Sequence, residues 1–272
     1  DKASQLAAAL AYYTIFSIAP LLIIAIAIAG SVFGEDAARG EITKQIQSLV
    51  GRSGAEVIET MINNANQPDV KSFASLVGVV LLIIGSSGVF AQLQEALDQV
   101  WNIQPRQTLS IGELIRKRVL SFSMVLAIGF LLLVSLIFSA TLSGFSSLGD
   151  SLLPGLDFIW QLLNFGLSFV LITLLFALMY KFLPDVEITW RDVWMGATLT
   201  ALLFSIGKWV LGLYLGQGSF GSAYGAAGSL VIVLVWVYYS AQILLFGAEF
   251  TQVYSRRFGS KIVPPENILS KS

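Results

Sequence analysis

Residues 6–33 read LAAALAYYTIFSIAPLLIIAIAIAGSVF, an apolar stretch that contains no charged side chain. A helix needs about 20 mainly apolar residues to cross a hydrocarbon core that is roughly 30 Å thick. This stretch meets that length, and similar stretches recur along the chain. The sequence therefore places the protein in a membrane.

Short polar loops separate six such stretches in all. We expect spans at about 6–33, 73–92, 119–142, 158–182, 193–215 and 226–254. Of the 272 residues, 56% are hydrophobic and 12% are charged, whereas a soluble domain carries about 25% charged residues. No hydrophilic stretch is long enough for a separate globular domain. The prediction is an all-α polytopic membrane protein, a six-transmembrane-helix bundle that forms one domain over residues 1–272.

Two spans contain helix-breaking residues. Pro20 lacks a backbone N–H and lies centrally in span one, which predicts a kink there. The run Gly85–Gly88 interrupts span two, which then continues into a polar helix from Gln92 to Trp101. The bundle is thus predicted to contain kinked or broken helices.

The polar connection at 34–72 has two apolar helical faces, separated by Gly51 and Gly54. The faces comprise Ile42, Ile46, Leu49 and Val50, and then Val57, Ile58, Met61 and Ile62. Such faces are typical of short amphipathic helices that lie on a membrane surface or cap a bundle. We expect this extracytoplasmic segment to be a pair of such helices.

Lysine and arginine in short loops indicate orientation, because cytoplasmic loops carry an excess of them. The loops at 143–157 and 216–225 carry none. The loops on the other side and the C-terminus carry Arg106, Arg116, Lys117, Arg118, Lys181, Arg191, Arg256, Arg257, Lys261 and Lys271. We expect six spans with both termini in the cytoplasm.

Several function classes lack their characteristic residues. The net charge is −1, and there is neither cysteine nor histidine, which removes thiolate ligands, the commonest metal ligand and the usual general base. No nucleotide-binding or hydrolase motif is present. We expect no enzymatic activity, no cofactor, no metal site and no nucleic-acid partner.

Lys208 is the most informative single residue of the predicted spans. It lies inside span five, roughly 10 Å from the outer end of that span near Leu215. A charged side chain at this depth is costly unless it is paired or hydrated, which favours a substrate-binding role. The alternative is a lysine that extends its ammonium to the outer interface.

Three acids form a second candidate group near the inner face. Glu249 lies toward the inner end of span six, and Glu95 and Asp98 are expected at a similar depth in span two. Together they are candidates for ion or proton coupling. The alternative is that they pair with Arg116, Lys117, Arg118 or Arg256 at the interface.

A third group lies near the middle of the membrane. Broken helices there often line substrate sites, because their freed backbone groups need polar partners. The candidate substrate-binding residues, beside Lys208, are Tyr12, Tyr13, Ser17, Pro20, Ser86, Ser87 and Gln242. For the glycines, ordinary close packing of helices is the alternative.

Three stretches resemble signatures of the YihY/virulence factor BrkB family. They are ALAYYTIFSIAPL at 9–21, LQEALDQVW at 93–101, and WVYYSAQI with LFGAEFT within 236–251. The resemblance implies a six-span bacterial inner-membrane protein, linked to serum resistance, envelope maintenance and the export of small solutes or lipids. An older name of the family, ribonuclease BN, does not suit a chain without histidine, a basic patch or a metal motif.

The residues and the resemblance together favour a membrane transporter. It would export a small solute or translocate lipid through a polar cavity between spans one, two, five and six. The alternative is a lipid-binding scaffold for envelope assembly that transports nothing. Membrane lipids and the substrate are the expected partners, and GxxxG spacing at Gly30/Gly34 and Gly212/Gly216 permits a homo-oligomer or an envelope partner protein.

Overall fold

A computed structural model describes residues 2–65, 88–103, 157–217 and 226–260, together with 112, 119, 123, 127, 130, 131 and 134. Every regular element in these parts of the chain is an α-helix, which confirms the all-α class. The helices are α1 (Ala3–Phe33), α2 (Glu35–Ala65), α3 (88–100), α4 (Asp157–Phe182), α5 (Trp190–Gln217) and α6 (Ala226–Arg257).

Within the described ranges, four helices are long and apolar enough to cross a membrane. The apolar segments are Ala3–Ser31, Phe165–Phe182, Trp190–Val210 and Leu230–Arg257. They correspond to predicted spans one, four, five and six. Most of spans two and three lies outside the described residues, so the count of six remains a prediction.

Helix α1 runs through Pro20 as one helix, and the predicted kink there remains a prediction. The chain then turns at Gly34, whose φ of 88° suits glycine. The Gly34 N–H donates to the carbonyl of Gly30 over 2.8 Å. A Cβ built at Gly30 would lie 3.2 Å from Cα of Glu35. Two glycines therefore allow α2 to begin directly beside the end of α1.

Helix α2 consists of two helices that meet at Gly51, where φ is 77° and ψ is 176°. This break confirms the predicted pair. The apolar faces are buried against α1 and α6, in a cluster of Leu22, Ala25, Ile26, Ile42, Val50, Ile58, Ile62 and Val233. The pair thus packs along the bundle, with Glu35, Asp36, Lys44, Arg52 and Glu56 exposed.

A second cluster forms the centre of the bundle around α3. Phe90, Leu93 and Leu97 of α3 are buried. They belong to a cluster with Ala7, Leu10, Phe176, Ala177, Tyr180, Val193, Ala197, Ala201, Ala241, Leu244, Leu245 and Ala248. Helices α1, α3, α4, α5 and α6 thus share one core, and α3 belongs to the predicted polar extension of span two.

Replacing Gly51 with alanine should lower the free energy of unfolding by about 1–3 kcal/mol, because its backbone region is open essentially only to glycine. The same substitution at Gly40, which lies inside α2 with open space around it, should stabilise the protein by about 0.5–1 kcal/mol. Thermal unfolding in mild detergent, followed by tryptophan fluorescence, compares the two variants. Equal melting temperatures would contradict a required break at Gly51.

Candidate functional site

Glycines let α5 and α6 pack closely in an antiparallel register. A Cβ at Gly196 would collide with Oγ1 of Thr251, and one at Gly247 would collide with Oγ1 of Thr200. Farther along, the ring of Tyr239 lies against Gly207. These three contacts fix which residues of the two helices share a level in the membrane.

A buried hydroxyl network reinforces this contact and extends it to α4. The Tyr180 hydroxyl donates to the carbonyl of Leu244 over 2.7 Å and lies 2.9 Å from Oγ1 of Thr200. The Thr200 and Thr251 hydroxyls each donate to a carbonyl of their own helix, at Gly196 and Gly247. The network satisfies polar groups between apolar helices and thereby fixes α4, α5 and α6 together.

Sequence reasoning missed Tyr180, Thr200 and Thr251, because threonine and tyrosine barely change the hydropathy of a span. The available signal was Gly247, which lies within the third of the signature stretches. A glycine there indicates that another helix comes close.

Lys208 lies one residue beyond Gly207, half-buried near the α5–α6 contact. One turn before it, Phe204 packs edge-on against Trp236 of α6, with ring centroids 5.6 Å apart. None of the described residues forms an ion pair with Lys208. The ion pair that the described ranges do contain joins Arg52 and Glu56. Lys208 is therefore half-buried in an apolar helix, without an acidic partner from the described helices.

The three predicted inner acids have different surroundings near the ends of α3 and α6. Nε2 of Gln252 donates to the carbonyl of Val100 over 2.7 Å, which aligns the ends of α3 and α6. The Asp98 carboxylate accepts the backbone N–H of Asp185 over 2.7 Å. Glu95 is exposed and Glu249 half-buried. Asp98 therefore positions the loop after α4, a role that its sequence did not reveal.

Of the four bases predicted to pair with these acids, Arg116, Lys117 and Arg118 lie outside the described residues, and no ion pair joins Arg256 to the acids within the described ranges.

Part of the third candidate group comes together where α3 begins. A Cβ at Gly88 would lie 3.3 Å from Oγ of Ser17 and 3.9 Å from the ring of Tyr13. Ser17 is buried, whereas Tyr12 and Tyr13 are 60% and 43% exposed. Pro20 and Gln242 are half-buried, and Ser86 and Ser87 lie outside the described residues. The contact between α1 and α3 is thus shown, and a substrate-binding role stays a prediction.

Asp192 is a buried carboxylate that sequence reasoning did not select. Its Oδ2 accepts the N–H of Ser260 over 3.1 Å and the hydroxyl of Ser260 over 2.6 Å. Gly259 lies against the same carboxylate. An acid in the first turn of a helix is also favoured by the helix dipole. Asp192 therefore ties the end of α6 to the start of α5.

A cleft of about 370 Å³ opens between α1 and α2 in the described part of the chain. It lies away from the predicted cavity between spans one, two, five and six. Its lining consists of Ile23, Ile26, Ala27, Gly30, Ser31, Glu35, Arg39 and Ile62.

Comparison with known proteins gives a consistent match over the whole chain. Residues 1–267 match the sequence profile of a family described as Virulence factor BrkB. A UPF0761 membrane protein of Pseudoalteromonas translucida is 28% identical, over 98% of this chain and 83% of the relative. UPF0761 membrane proteins of Alkalilimnicola ehrlichii and Verminephrobacter eiseniae are 28% and 29% identical, over 93% and 92% of this chain.

The chain spans 55% and 58% of the length of the last two relatives. No solved structure matches the chain.

Replacing Gly247 with alanine should destabilise the protein by about 1–3 kcal/mol, because the added methyl group overpacks the contact with Thr200 and Tyr180. Gly166 of α4 has no atom near its Cβ position, so Gly166→Ala is the matched control. Adding Thr200→Ala to Gly247→Ala should recover part of the loss. Denaturant unfolding in detergent measures the free energy of unfolding of all three variants. A Gly247→Ala variant as stable as wild type would refute the close α5–α6 contact.

Replacing Asp98 with alanine should cost about 0.5–1.5 kcal/mol, because the N–H of Asp185 loses its acceptor at an exposed contact where water partly replaces it. Asp98→Asn keeps an oxygen at that position, so its free energy of unfolding should lie closer to that of wild type. If Asp98 only positions the loop, the asparagine variant also retains function. A folded Asp98→Asn variant that fails to complement a cell-envelope defect in a strain lacking the protein would instead assign Asp98 an ion-coupling role.

Proposed function

The chain belongs to the virulence factor BrkB family of membrane proteins, and we propose that it is a transporter of the bacterial inner membrane. It exports a small solute or translocates lipid along a polar path between spans one, two, five and six. The transport step requires no enzymatic chemistry, cofactor or metal. Since several relatives are much longer, the proposal concerns the membrane domain that this chain represents.

Lys208 is the observation that carries the proposal. It is half-buried inside an apolar helix, and the described residues offer it no acidic partner. An intramembrane ammonium without a fixed counter-ion needs hydration or a transient anionic partner. The anionic or zwitterionic group of a substrate supplies that partner during transport.

The helices near Lys208 support the position of the path. Helices α1, α3, α5 and α6 share the central core, and α3 begins against Ser17. The α1–α3 contact is formed by the small residues Ser17 and Gly88, beside the exposed ring of Tyr13. Glu95, Asp98 and Glu249 lie at the inner end of this path, where they would couple transport to cations.

The distribution of basic residues supports an orientation with cytoplasmic termini. Lys181, Arg191, Arg256 and Arg257 lie at one end of α4, α5 and α6, the end where α3 also finishes. At the opposite end α2 carries bases mixed with acids, among them Glu35, Asp36, Glu41, Glu56 and Glu59. The rule counts lysine and arginine in short loops rather than net charge, and the loops at 143–157 and 216–225 carry none, which supports the first end as the cytoplasmic side.

Replacing Lys208 with alanine should abolish transport without unfolding the protein, whereas Lys208→Arg should retain a measurable part. Removal of one charged hydrogen bond weakens binding by roughly ten-fold or more. The first readout is native mass spectrometry of the protein in mild detergent, which detects a co-purifying solute or lipid. The second is complementation of a cell-envelope defect in a strain that lacks the protein. Lys44→Ala, on the exposed face of α2, is the control.

The scaffold alternative predicts the opposite pattern of results for these variants. In it, deletion of residues 34–72 destroys complementation, while Lys208→Ala is silent. Wild-type complementation and identical spectra for a folded Lys208→Ala variant would therefore reject the transport path through Lys208.

A further inference from the structure

We infer that the cleft between α1 and α2 binds a zwitterionic aminophospholipid of the phosphatidylethanolamine type. This inference is independent of the transport proposal, since a bound lipid here requires no path through Lys208. It rests on the depth of the cleft, on the order of its polar and apolar walls, and on its two opposite charges.

The apolar part of the cleft lies inside the membrane-spanning segment. Ile23, Ile26 and Ala27 of α1 form one wall and Ile62 of α2 contributes to the other. The apolar segment of α1 extends to Ser31, so these α1 residues belong to the segment that can cross the membrane. From Ile23 to Ser31 the cleft extends about 12 Å along the helix axis, at 1.5 Å per residue.

The mouth of the cleft is polar and lies where the span ends. Ser31, Glu35 and Arg39 line it, at the level of lipid headgroups. The order from apolar depth to charged mouth matches that of a phospholipid, with acyl carbons below and a headgroup above. The cleft volume of about 370 Å³ suits the glycerol region and the first acyl carbons, and the remaining chain stays in the bilayer.

The two charges at the mouth point to the headgroup chemistry. Glu35 and Arg39 are four residues apart on α2, a spacing at which opposite charges commonly pair. Here Arg39 instead donates to Oδ1 of Asn63, and the described residues provide Glu35 with no ion pair. A guanidinium and a carboxylate side by side complement a phosphate and a primary ammonium joined by two carbons.

An anionic phospholipid fits this mouth less well. Its phosphate would meet Arg39, but its uncharged glycerol headgroup would leave the Glu35 carboxylate opposite a net negative lipid. A choline headgroup presents a quaternary ammonium that cannot donate a hydrogen bond to Glu35. The expected order of retention is therefore phosphatidylethanolamine above phosphatidylcholine and phosphatidylglycerol.

The test places the full chain in nanodiscs that contain equal amounts of these three lipids with identical acyl chains. Native mass spectrometry then counts the lipids that remain on the released protein. Wild type should retain phosphatidylethanolamine preferentially. Arg39→Gln should reduce its retention by about ten-fold, as expected for loss of a charge-assisted contact with phosphate. Glu35→Gln should remove the preference over phosphatidylglycerol.

Matched controls separate the site from the general charge of α2. Arg52 and Glu56 form an exposed pair at the same spacing on the same helix, so Arg52→Gln and Glu56→Gln should change nothing. Asn63→Ala removes the hydrogen bond to Arg39 without removing its charge and should retain the lipid. Ala27→Phe, at an exposed position of the cleft wall, should block binding of every headgroup while the protein stays folded.

Three outcomes would overturn the inference: no retained lipid in wild type, a preference for phosphatidylglycerol, or retention that is equal in wild type and in both Arg39→Gln and Ala27→Phe.

Discussion

The close contact between α5 and α6 is the interaction on which the described bundle depends. In a bilayer, apolar helices gain little by leaving lipid for one another, so close packing and hydrogen bonds must hold them together. Gly196 and Gly247 allow that approach, and the Thr200 and Thr251 hydroxyls fill the space opposite. Because Tyr180 bonds to both α5 and α6, the same contact also positions α4. The level of Lys208 follows from this register.

A second constraint acts at the opposite end, where a polar connection has to return along the bundle. Gly34 and Gly30 turn the chain so tightly that α2 starts against α1. The break at Gly51 then divides the segment into two pieces that each follow the surface of α1 and α6. Because the apolar faces of α2 are buried there, its charged side chains, Glu35 and Arg39 among them, remain at the membrane boundary. The cleft between α1 and α2 is a consequence of this geometry.

Much of the fold was predictable because hydropathy and glycine act locally. Spans one, four, five and six follow from their composition, and the pair of helices in α2 follows from two apolar faces on either side of Gly51. Polar contacts between distant residues were not predictable. Tyr180 and Leu244 are separated by 64 residues, and Asp98 accepts the N–H of Asp185, which lies 87 residues further along the chain. Such roles depend on which segments meet, and hydropathy carries no information about that.

The register also decides whether the main candidate charges neutralise each other. Thr200 lies opposite Gly247, so Glu249 lies near the level of residue 198, ten residues inward from Lys208. At 1.5 Å per residue this separates the two levels by about 15 Å, far beyond the reach of a direct ion pair. Each charge must therefore be compensated where it lies. Lys208 is half-buried one residue beyond the Gly207–Tyr239 contact, so the α5–α6 contact sets the level at which its charge lies.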